Sequence, residues 1–329
     1  MAEIRIIDDF CASRTQWQET CDACPYATYF HTPEWAELFS AYTRGRLKPV
    51  TRKITFDDHR SVIVPLCRID YVHGVFKIYQ SAAAGTFGGW ISVDPLGVAH
   101  AQTLVEYMLG LGNISWRENP YDPCLREVAI PGSIDDFTQT IDLTKSAAQL
   151  IAASSRAHVK ALNKARREGV TVKEAEGIDD WLCHYTAYEQ SLVRWKNAGT
   201  AKKLVKPYTW ELFNAIFEKK SPHCKLWCAR YKEKIAASVL CFYWNRHAVA
   251  WHGAGLEEFF EKRPNNLLYQ HIVFHARDNG FSWFDCNTPG GLKGVVEFKD
   301  HLGTQRLKSR IVDKISFLRK ILRKVKRMR

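Results

Sequence analysis

The sequence predicts an α/β chain, of the α+β kind, with mixed, mostly antiparallel sheets in two domains. Three observations support this prediction. Residues 241–287 contain two strand patterns, a polar loop, a helix pattern and a further strand pattern. The order of helix, strand meander, helix and strand occurs in both halves of the chain. A chain of 329 residues with 46% hydrophobic residues can also form two cores.

The first half of the chain, residues 1–140, is predicted from local signals. A helix follows His31 and Thr32, with Pro33 in its first turn, where the missing N–H of proline does no harm. Gly-rich residues 85–89 lack the GxGxxG spacing of a dinucleotide site. The remaining predicted elements are strands at 2–8, 50–56, 61–71, 75–81, 90–93, 114–117 and 126–130, and a helix at 102–109.

The second half, residues 141–310, ends in a predicted crossover. Two strands joined by the turn Asn245-Arg246 precede a helix that begins near Pro264 and is closed by Asn279-Gly280. A following parallel strand would place a ligand site at the strand ends. The other predicted elements are helices at 147–167, 179–195 and 208–219, and strands at 170–173, 225–231 and 235–243.

Residues 311–329 carry much of the formal charge of +12, because they hold eight Lys or Arg and one acidic residue, Asp313. Apolar residues recur on one helical face, so the segment is predicted to be a basic amphipathic helix. Such a helix could lie on an anionic membrane surface, grip RNA phosphates or pack its apolar stripe on the domain. A second basic stripe lies within residues 156–167 and would attract phosphorylated substrates.

Several function classes lack their sequence signatures. There is no P-loop, nucleophile elbow or apolar run of eighteen residues, and the acidic start of the chain does not resemble a signal peptide. His271 and His275 lack the glutamate of HExxH, and Cys21 and Cys24 lack a second cysteine pair. We therefore expect a cytoplasmic protein with reduced cysteines and no metal.

Short motifs across the chain resemble one family. They are Phe30–Trp35, Ile235-Ala236, Pro264 with Leu267 and Leu268, Gly280 with Phe284-Asp285, and Phe298-Lys299 before Gly303. The pattern resembles the Fem-type branch of the GNAT acyltransferase superfamily, which includes peptidoglycan aminoacyltransferases and relatives from polysaccharide loci. The resemblance implies two tandem GNAT-like domains, 1–140 and 141–310, followed by the basic tail 311–329.

Acyl transfer to an amine requires removal of the amine proton, stabilisation of an oxyanion and alignment of two substrates. The resemblance makes Lys299 the cation near the acyl carbonyl or leaving group, although the residue could equally be a solvated lysine in a charged turn. Asp285 could orient the amine or act as base, or it could cap a turn. His252 could accept the amine proton, or it could be a satisfied core histidine.

The predicted substrate-binding residues lie on both sides of the crossover. Arg194 is a candidate for an anionic substrate group, and Tyr243 and Trp251 could line one cleft or belong to the core. The full predicted substrate-binding set is Arg194, Tyr243, Trp251, Asn266, Asn287 and Phe298.

The predicted activity is N-acyl or aminoacyl transfer to an amine on a cell-envelope saccharide or peptidoglycan precursor, anionic or phosphorylated. The predicted donor is acyl-CoA or aminoacyl-tRNA. Residues 263–268 lack the glycines of a CoA loop, which favours aminoacyl-tRNA. The protein would act in the cytoplasm, with membrane-surface contact through 311–329 at the inner face. Two alternatives remain: a transferase that depends on aminoacyl-tRNA, and a GNAT-like binding or assembly protein without catalysis.

Overall fold

The computed structural model describes residues 3–71, 74–197 and 207–314. These residues form two compact units. The second unit is Thr138–Leu307, and the described residues on either side of it in sequence form the first unit. Each unit contains helices and sheets, and most strand pairs are antiparallel, so the predicted mixed α/β class is confirmed. No helix within the described residues is long and apolar enough to cross a bilayer.

The helices are short to medium in length. They are α1 (Arg14–Ala23), α2 (Pro33–Tyr42), α3 (Val98–Gly110), α4 (Ala147–Ala153), α5 (Arg156–Arg167), α6 (Ile178–Asn197), α7 (Trp210–Lys219), α8 (Pro264–Asp278) and α9 (Lys293–His301). The strands are β1 (Ile6–Cys11), β2 (Leu47–Pro49), β3 (Arg52–Phe56), β4 (Ser61–Val64), β5 (Cys67–Tyr71), β6 (Phe76–Ser81), β7 (Phe87–Gly88), β8 (Ile114–Glu118), β9 (Ile134–Asp142), β10 (Thr171–Glu174), β11 (Cys224–Tyr231), β12 (Lys234–Trp244), β13 (His247–Gly255), β14 (Trp283–Asp285) and β15 (Gln305–Lys314).

The first unit contains two sheets. One has the order β1-β3-β4, and the other has the order β15-β8-β6-β5-β2, with β7 also paired to β8. Helix α2 starts at Pro33 as predicted, and Thr32 caps it by accepting a hydrogen bond from the Trp35 N–H. Arg310 on β15 forms a partly buried ion pair with Glu118 on β8 and also donates to the carbonyl of Leu125.

The second unit is one sheet with helices on both faces. Its strand order is β10-β11-β12-β13-β14-β9, and all pairs are antiparallel except β13 with β14. Helices α5 and α8 lie on one face, while α6 and α7 lie on the other. The predicted crossover is confirmed, because α8 connects β13 to the parallel strand β14.

Two predictions in the middle of the chain are wrong. The single helix predicted at 147–167 is two helices, because Ser154 and Ser155 are extended and the Ser155 hydroxyl caps α5 through the His158 N–H. The strand predicted at 126–130 is a 3₁₀ turn and loop at Leu125–Glu127, and the strand lies instead at Ile134–Asp142. Both errors come from runs of residues whose local propensities suit more than one conformation.

The predicted basic helix 311–329 is wrong at its start. Residues 311–314 continue strand β15, where Ser309 and Val312 are buried and Ile311 pairs with Arg117 of β8. The β-branched pair Ile311-Val312 suits a strand, and the register with β8 overrides the helical spacing of apolar residues. Residues 315–329 lie outside the described part of the chain.

We expect Gly303→Ala to destabilise the second unit. Gly303 has φ +83°, and an added Cβ would lie 2.8 Å from the carbonyl carbon and oxygen of Ala153. Backbone atoms cannot move away cheaply, so the free energy of unfolding should fall by ~2 kcal/mol or more. Gly294→Ala is the matched control, because nothing lies within 4 Å of its Cβ position in α9. Urea unfolding of both variants measures this, and equal midpoints would contradict the packing described here.

Candidate active site

Strands β13 and β14 separate at their carboxyl ends. Their parallel pairing runs from His247 with Trp283 to Val249 with Asp285, after which β14 ends and β13 continues to Gly255. Gly253 is exposed on this stretch, which pairs with β12 but not with β14. We call the region bounded by residues 251–255 and 285–287 the strand opening. In sheets with crossover connections, ligands bind at such diverging strand ends.

Asn287 is held in a fixed position at the edge of the strand opening. Its φ of +61° lies in the left-handed region, which asparagine tolerates better than most residues. Its N–H donates to Asp285 Oδ1 at 2.6 Å, and its Nδ2 donates to the Trp251 carbonyl at 3.4 Å. Its own carbonyl accepts a 2.8 Å hydrogen bond from Lys299 Nζ. We call these contacts the Asn287 clamp.

Lys299 lies in α9 and is only 4% exposed. Burial lowers the pKa of its ammonium group, and the nearby Cys286 and Asp285 oppose the shift. The alternative interpretation of a solvated lysine in a charged turn is therefore wrong. In the described residues the ammonium donates to the main chain of Asn287, so its proposed role as a cation toward the acyl group stays a prediction.

Asp285 is fully buried at the end of β14. One carboxylate oxygen accepts hydrogen bonds from the Thr138 hydroxyl at 2.5 Å and from the Asn287 N–H. This contact to the residue two positions ahead is the turn-capping arrangement that the sequence left open. A role for Asp285 as base or as orienting group for the amine stays a prediction.

His252 is half-buried and belongs to a chain of polar groups on the α6 face of the sheet. Its Nδ1 lies 3.0 Å from His184 Nε2, and His184 Nδ1 lies 2.7 Å from the Ser238 hydroxyl. The His252 ring packs edge-on against Tyr188 and Phe213. Burial lowers the pKa of His252 to about 4 and lowers that of His184 well below its ordinary value, so both rings are neutral near pH 7.

Tyr269 is a site residue that the sequence analysis missed. It lies on α8, and its hydroxyl would be 3.3 Å from a Cβ added at Gly253. The hydroxyl has no hydrogen-bond partner in the part of the chain that the structure describes, and burial raises its pKa, so it remains a donor. The sequence did contain a signal for this residue, because Tyr269 occupies a helix position that faces the sheet. A tyrosine hydroxyl in such a position usually has a hydrogen-bond partner.

Tyr243 and Trp251 do not line one cleft. Tyr243 lies in the core on the α8 face, where its hydroxyl accepts a 2.8 Å hydrogen bond from Trp227 Nε1. The Trp251 ring packs against Phe242 and Tyr208. Only Trp251, through its carbonyl, takes part in the strand opening.

The remaining predicted binding residues lie on three different helices, α6, α8 and α9. Arg194 donates from Nη2 to the Gly255 carbonyl at 2.9 Å, so its guanidinium supports the end of β13. Asn266, in the first turn of α8, has its amide nitrogen 3.0 Å from His158 Nδ1. Phe298 packs against the Tyr269 ring, with centroids 5.3 Å apart. Binding roles for these side chains stay predictions.

The histidines and cysteines that were considered as metal ligands pack against other side chains. His271 and His275 both lie edge-on to Trp227. Cys21 and Cys24 are buried, and all ten cysteines are thiols. Over residues 3–71, 74–197 and 207–314, no group of three His, Cys, Asp or Glu side chains is arranged to hold a metal ion.

One protein-family model matches most of the second unit. Residues 153–300 match the model of a family described as an acetyltransferase (GNAT) domain. This range includes the strand opening, the Asn287 clamp and Tyr269. No curated protein sequence matches the chain.

Solved structures extend the likeness to the rest of the chain. The FemX crystal structure is similar with a TM-score of 0.62 at 11% identity, covering 94% of this chain and 98% of FemX. A Bacteroides thetaiotaomicron protein of unknown function has a TM-score of 0.55 at 11% identity, with 93% and 99% coverage. The C-terminal domain of an Agrobacterium fabrum protein described as a lysylphosphatidylglycerol synthetase has a TM-score of 0.51 at 12% identity, with 91% of both chains covered. At these identities the likeness shows the fold.

The buried histidines predict a pH dependence of stability. The pKa of His252 is about 4 when folded and about 6.5 when unfolded, so the unfolded chain binds more protons between these values. The contribution of His252 to stability is therefore complete above pH 6.5 and is lost as the pH falls toward 4. We expect His252→Gln to flatten the pH dependence of the unfolding free energy by up to ~1.4 kcal/mol per pH unit.

Urea unfolding at pH 7 and pH 5 measures this difference. His301→Gln is the control for a histidine-to-glutamine change, because His301 is exposed on α9. A slope for His252→Gln identical to that of the unmodified protein would show that the fold does not lower the pKa of His252.

Proposed function

Because residues 153–300 form a GNAT acetyltransferase domain in a chain with a Fem-like fold, we propose that this acyltransferase modifies an amine on a cell-envelope precursor. The acyl or aminoacyl group would be transferred at the strand opening. The observation that carries the proposal is the exposed backbone at Gly253, with the Tyr269 hydroxyl on one side and the Asn287 clamp beside it.

The proposed chemistry follows from the groups at the strand opening. Acyl transfer develops negative charge on the carbonyl oxygen and on the leaving group, and fixed hydrogen-bond donors stabilise that charge. Tyr269 offers a protonated hydroxyl in a partly buried position. The Asn287 clamp keeps the strand ends apart, so that the acyl group has room beside β13.

The proposed acceptor class is a saccharide, lipid-linked or peptidoglycan precursor that carries an amine. The similar fold of a protein described as a lysylphosphatidylglycerol synthetase supports an envelope acceptor. The thiol state of all ten cysteines supports a reducing compartment, so we propose that the protein acts in the cytoplasm at the inner membrane face. The role that we propose for residues 315–329, the part of the predicted basic tail beyond β15, is contact with that surface.

The donor is proposed to be an acyl-CoA, with aminoacyl-tRNA as the second candidate. The first turn of α8 carries asparagines instead of glycines, and Asn266 is occupied by His158. Arg156, Lys160 and Arg167 are exposed on α5 and suit a phosphate-rich partner. These two features favour the tRNA donor, whereas the GNAT domain match favours the acyl-CoA donor.

We expect acyl-CoA to stabilise the protein against heat and Gly253→Leu to abolish the effect. A ligand at about a hundred times its Kd stabilises the fold by ~2.7 kcal/mol. Gly253 has no positive φ, so its backbone can carry a side chain, and the added Cβ would lie 3.3 Å from the Tyr269 hydroxyl, which must shift slightly as leucine fills the strand opening. Thermal melting with CoA, acetyl-CoA and a long-chain acyl-CoA provides the measurement.

Gly177→Leu is the matched control, because nothing lies within 4 Å of its Cβ position in the same unit. It should keep the ligand-induced shift. A shift that survives in Gly253→Leu would place the donor elsewhere, and no shift with any acyl-CoA would favour aminoacyl-tRNA.

We expect Lys299→Met to reduce turnover strongly. Methionine preserves the buried volume, but it removes the hydrogen bond to Asn287 and the cation at the site. Loss of one such interaction in the transition state lowers kcat by about 10²–10³. Lys293→Met on the same helix is the control, since its side chain is 91% exposed. Full turnover by the folded Lys299→Met variant would rule out the role given to Lys299.

A further inference from the structure

Three side chains form a continuous hydrogen-bonded chain on the α6 face of the second unit. Ser238 on β12 and His184 on α6 have no solvent exposure, and His252 on β13 is half-buried at the strand opening. We call this chain the histidine relay. The relay shares only β13 with the Asn287 clamp, and the chemistry proposed above does not use Ser238 or His184.

The inner end of the histidine relay fixes the direction of its hydrogen bonds. The Ser238 hydroxyl has His184 as its only hydrogen-bond partner within the described residues. If His184 donated to Ser238, the serine proton would have no acceptor in a dry interior, which costs about 1–3 kcal/mol. The 2.7 Å separation also suits an O–H donor better than an N–H donor. Ser238 therefore donates to His184 Nδ1.

The rest of the direction follows from the chemistry of neutral imidazole, which has one donor and one acceptor nitrogen. With Nδ1 accepting from Ser238, His184 carries its proton on Nε2 and donates it to His252 Nδ1, 3.0 Å away. His252 then carries its own proton on Nε2. That nitrogen has no partner among the residues that the structure describes.

We propose that Ser238 and His184 are positioning residues that hold His252 as a hydrogen-bond donor. Its Nε2–H would bind a carbonyl or anionic oxygen of the substrate. This assignment deepens the proposed function and rests on it for the identity of the ligand. It also replaces the expectation that His252 accepts the amine proton, because the nitrogen that is left for a ligand carries the proton and has no free lone pair. The amine proton must go to another group.

The surroundings of the histidine relay keep it neutral. The rings that contact His252 are those of His184, Tyr188, Phe213 and Trp251, and none of them carries a charge near pH 7. A neutral ring keeps the order of donors and acceptors that Ser238 sets, whereas a protonated ring would donate from both nitrogens.

The first test reads the tautomer directly and needs no substrate. Long-range ¹H–¹⁵N spectra of the full-length labelled protein at pH 7, with His252→Gln used for assignment, should show His252 protonated at Nε2 only. Ser238→Ala should turn this single tautomer into a mixture. Ser309→Ala is the control, because that buried serine donates to the Glu118 carbonyl in the first unit and should leave the spectrum unchanged. A proton on His252 Nδ1, or an unchanged tautomer in Ser238→Ala, would overturn the proposal.

The second test separates donation from base catalysis once a substrate pair is known. Glutamine places an N–H donor near the position of His252 Nε2 but has no basicity. His252→Gln should therefore keep turnover within about tenfold, whereas His252→Ala should lose about 10²–10³-fold. Equal losses in both variants would assign His252 as a base. Absence of turnover in the unmodified protein would refute the proposed function and leave the tautomer result standing.

Discussion

The conformation of Asn287 is the constraint on which the rest of the site depends. A residue with φ +61° needs support from its surroundings, and here three different elements supply it. Asp285 holds the N–H, Lys299 holds the carbonyl, and the side-chain amide reaches the Trp251 carbonyl on β13. Without these contacts β14 could continue along β13 and close the strand opening. Burial of a lysine and an aspartate is costly, so both are satisfied by hydrogen bonds to this one turn.

The two faces of the second unit's sheet supply different chemistry to one edge. On the α8 face, Tyr269 brings a hydroxyl toward Gly253. On the α6 face, the histidine relay runs from Ser238 to His252. Neighbouring residues of a strand point to opposite faces, so a single strand can present both sets of groups to one bound molecule. The antiparallel hairpin of β12 and β13 keeps these positions fixed.

The sequence predicted those parts of the second unit whose signals are local. Pro264 and Gly280 mark the ends of α8 from within a few residues, so the crossover was predicted correctly. The burial of Lys299 was left open, because it depends on a carbonyl twelve positions away in sequence. The partners of His252 were not foreseen, since His184 lies 68 residues earlier in the chain and reaches it only through packing. The spacing of residue types along the sequence does not indicate such long-range contacts.

Strand β15 has a consequence for how the protein is made. Residues 308–314 of this strand follow the second unit in sequence, yet Val312 is buried in the core of the first unit and pairs with Trp116 of β8. During synthesis, one side of β8 therefore remains unpaired until the whole of Thr138–Leu307 has left the ribosome. An open strand edge of this kind invites pairing with other chains. The last strand therefore completes the first unit only at the end of synthesis, and the second unit is an insertion within the sequence of the first.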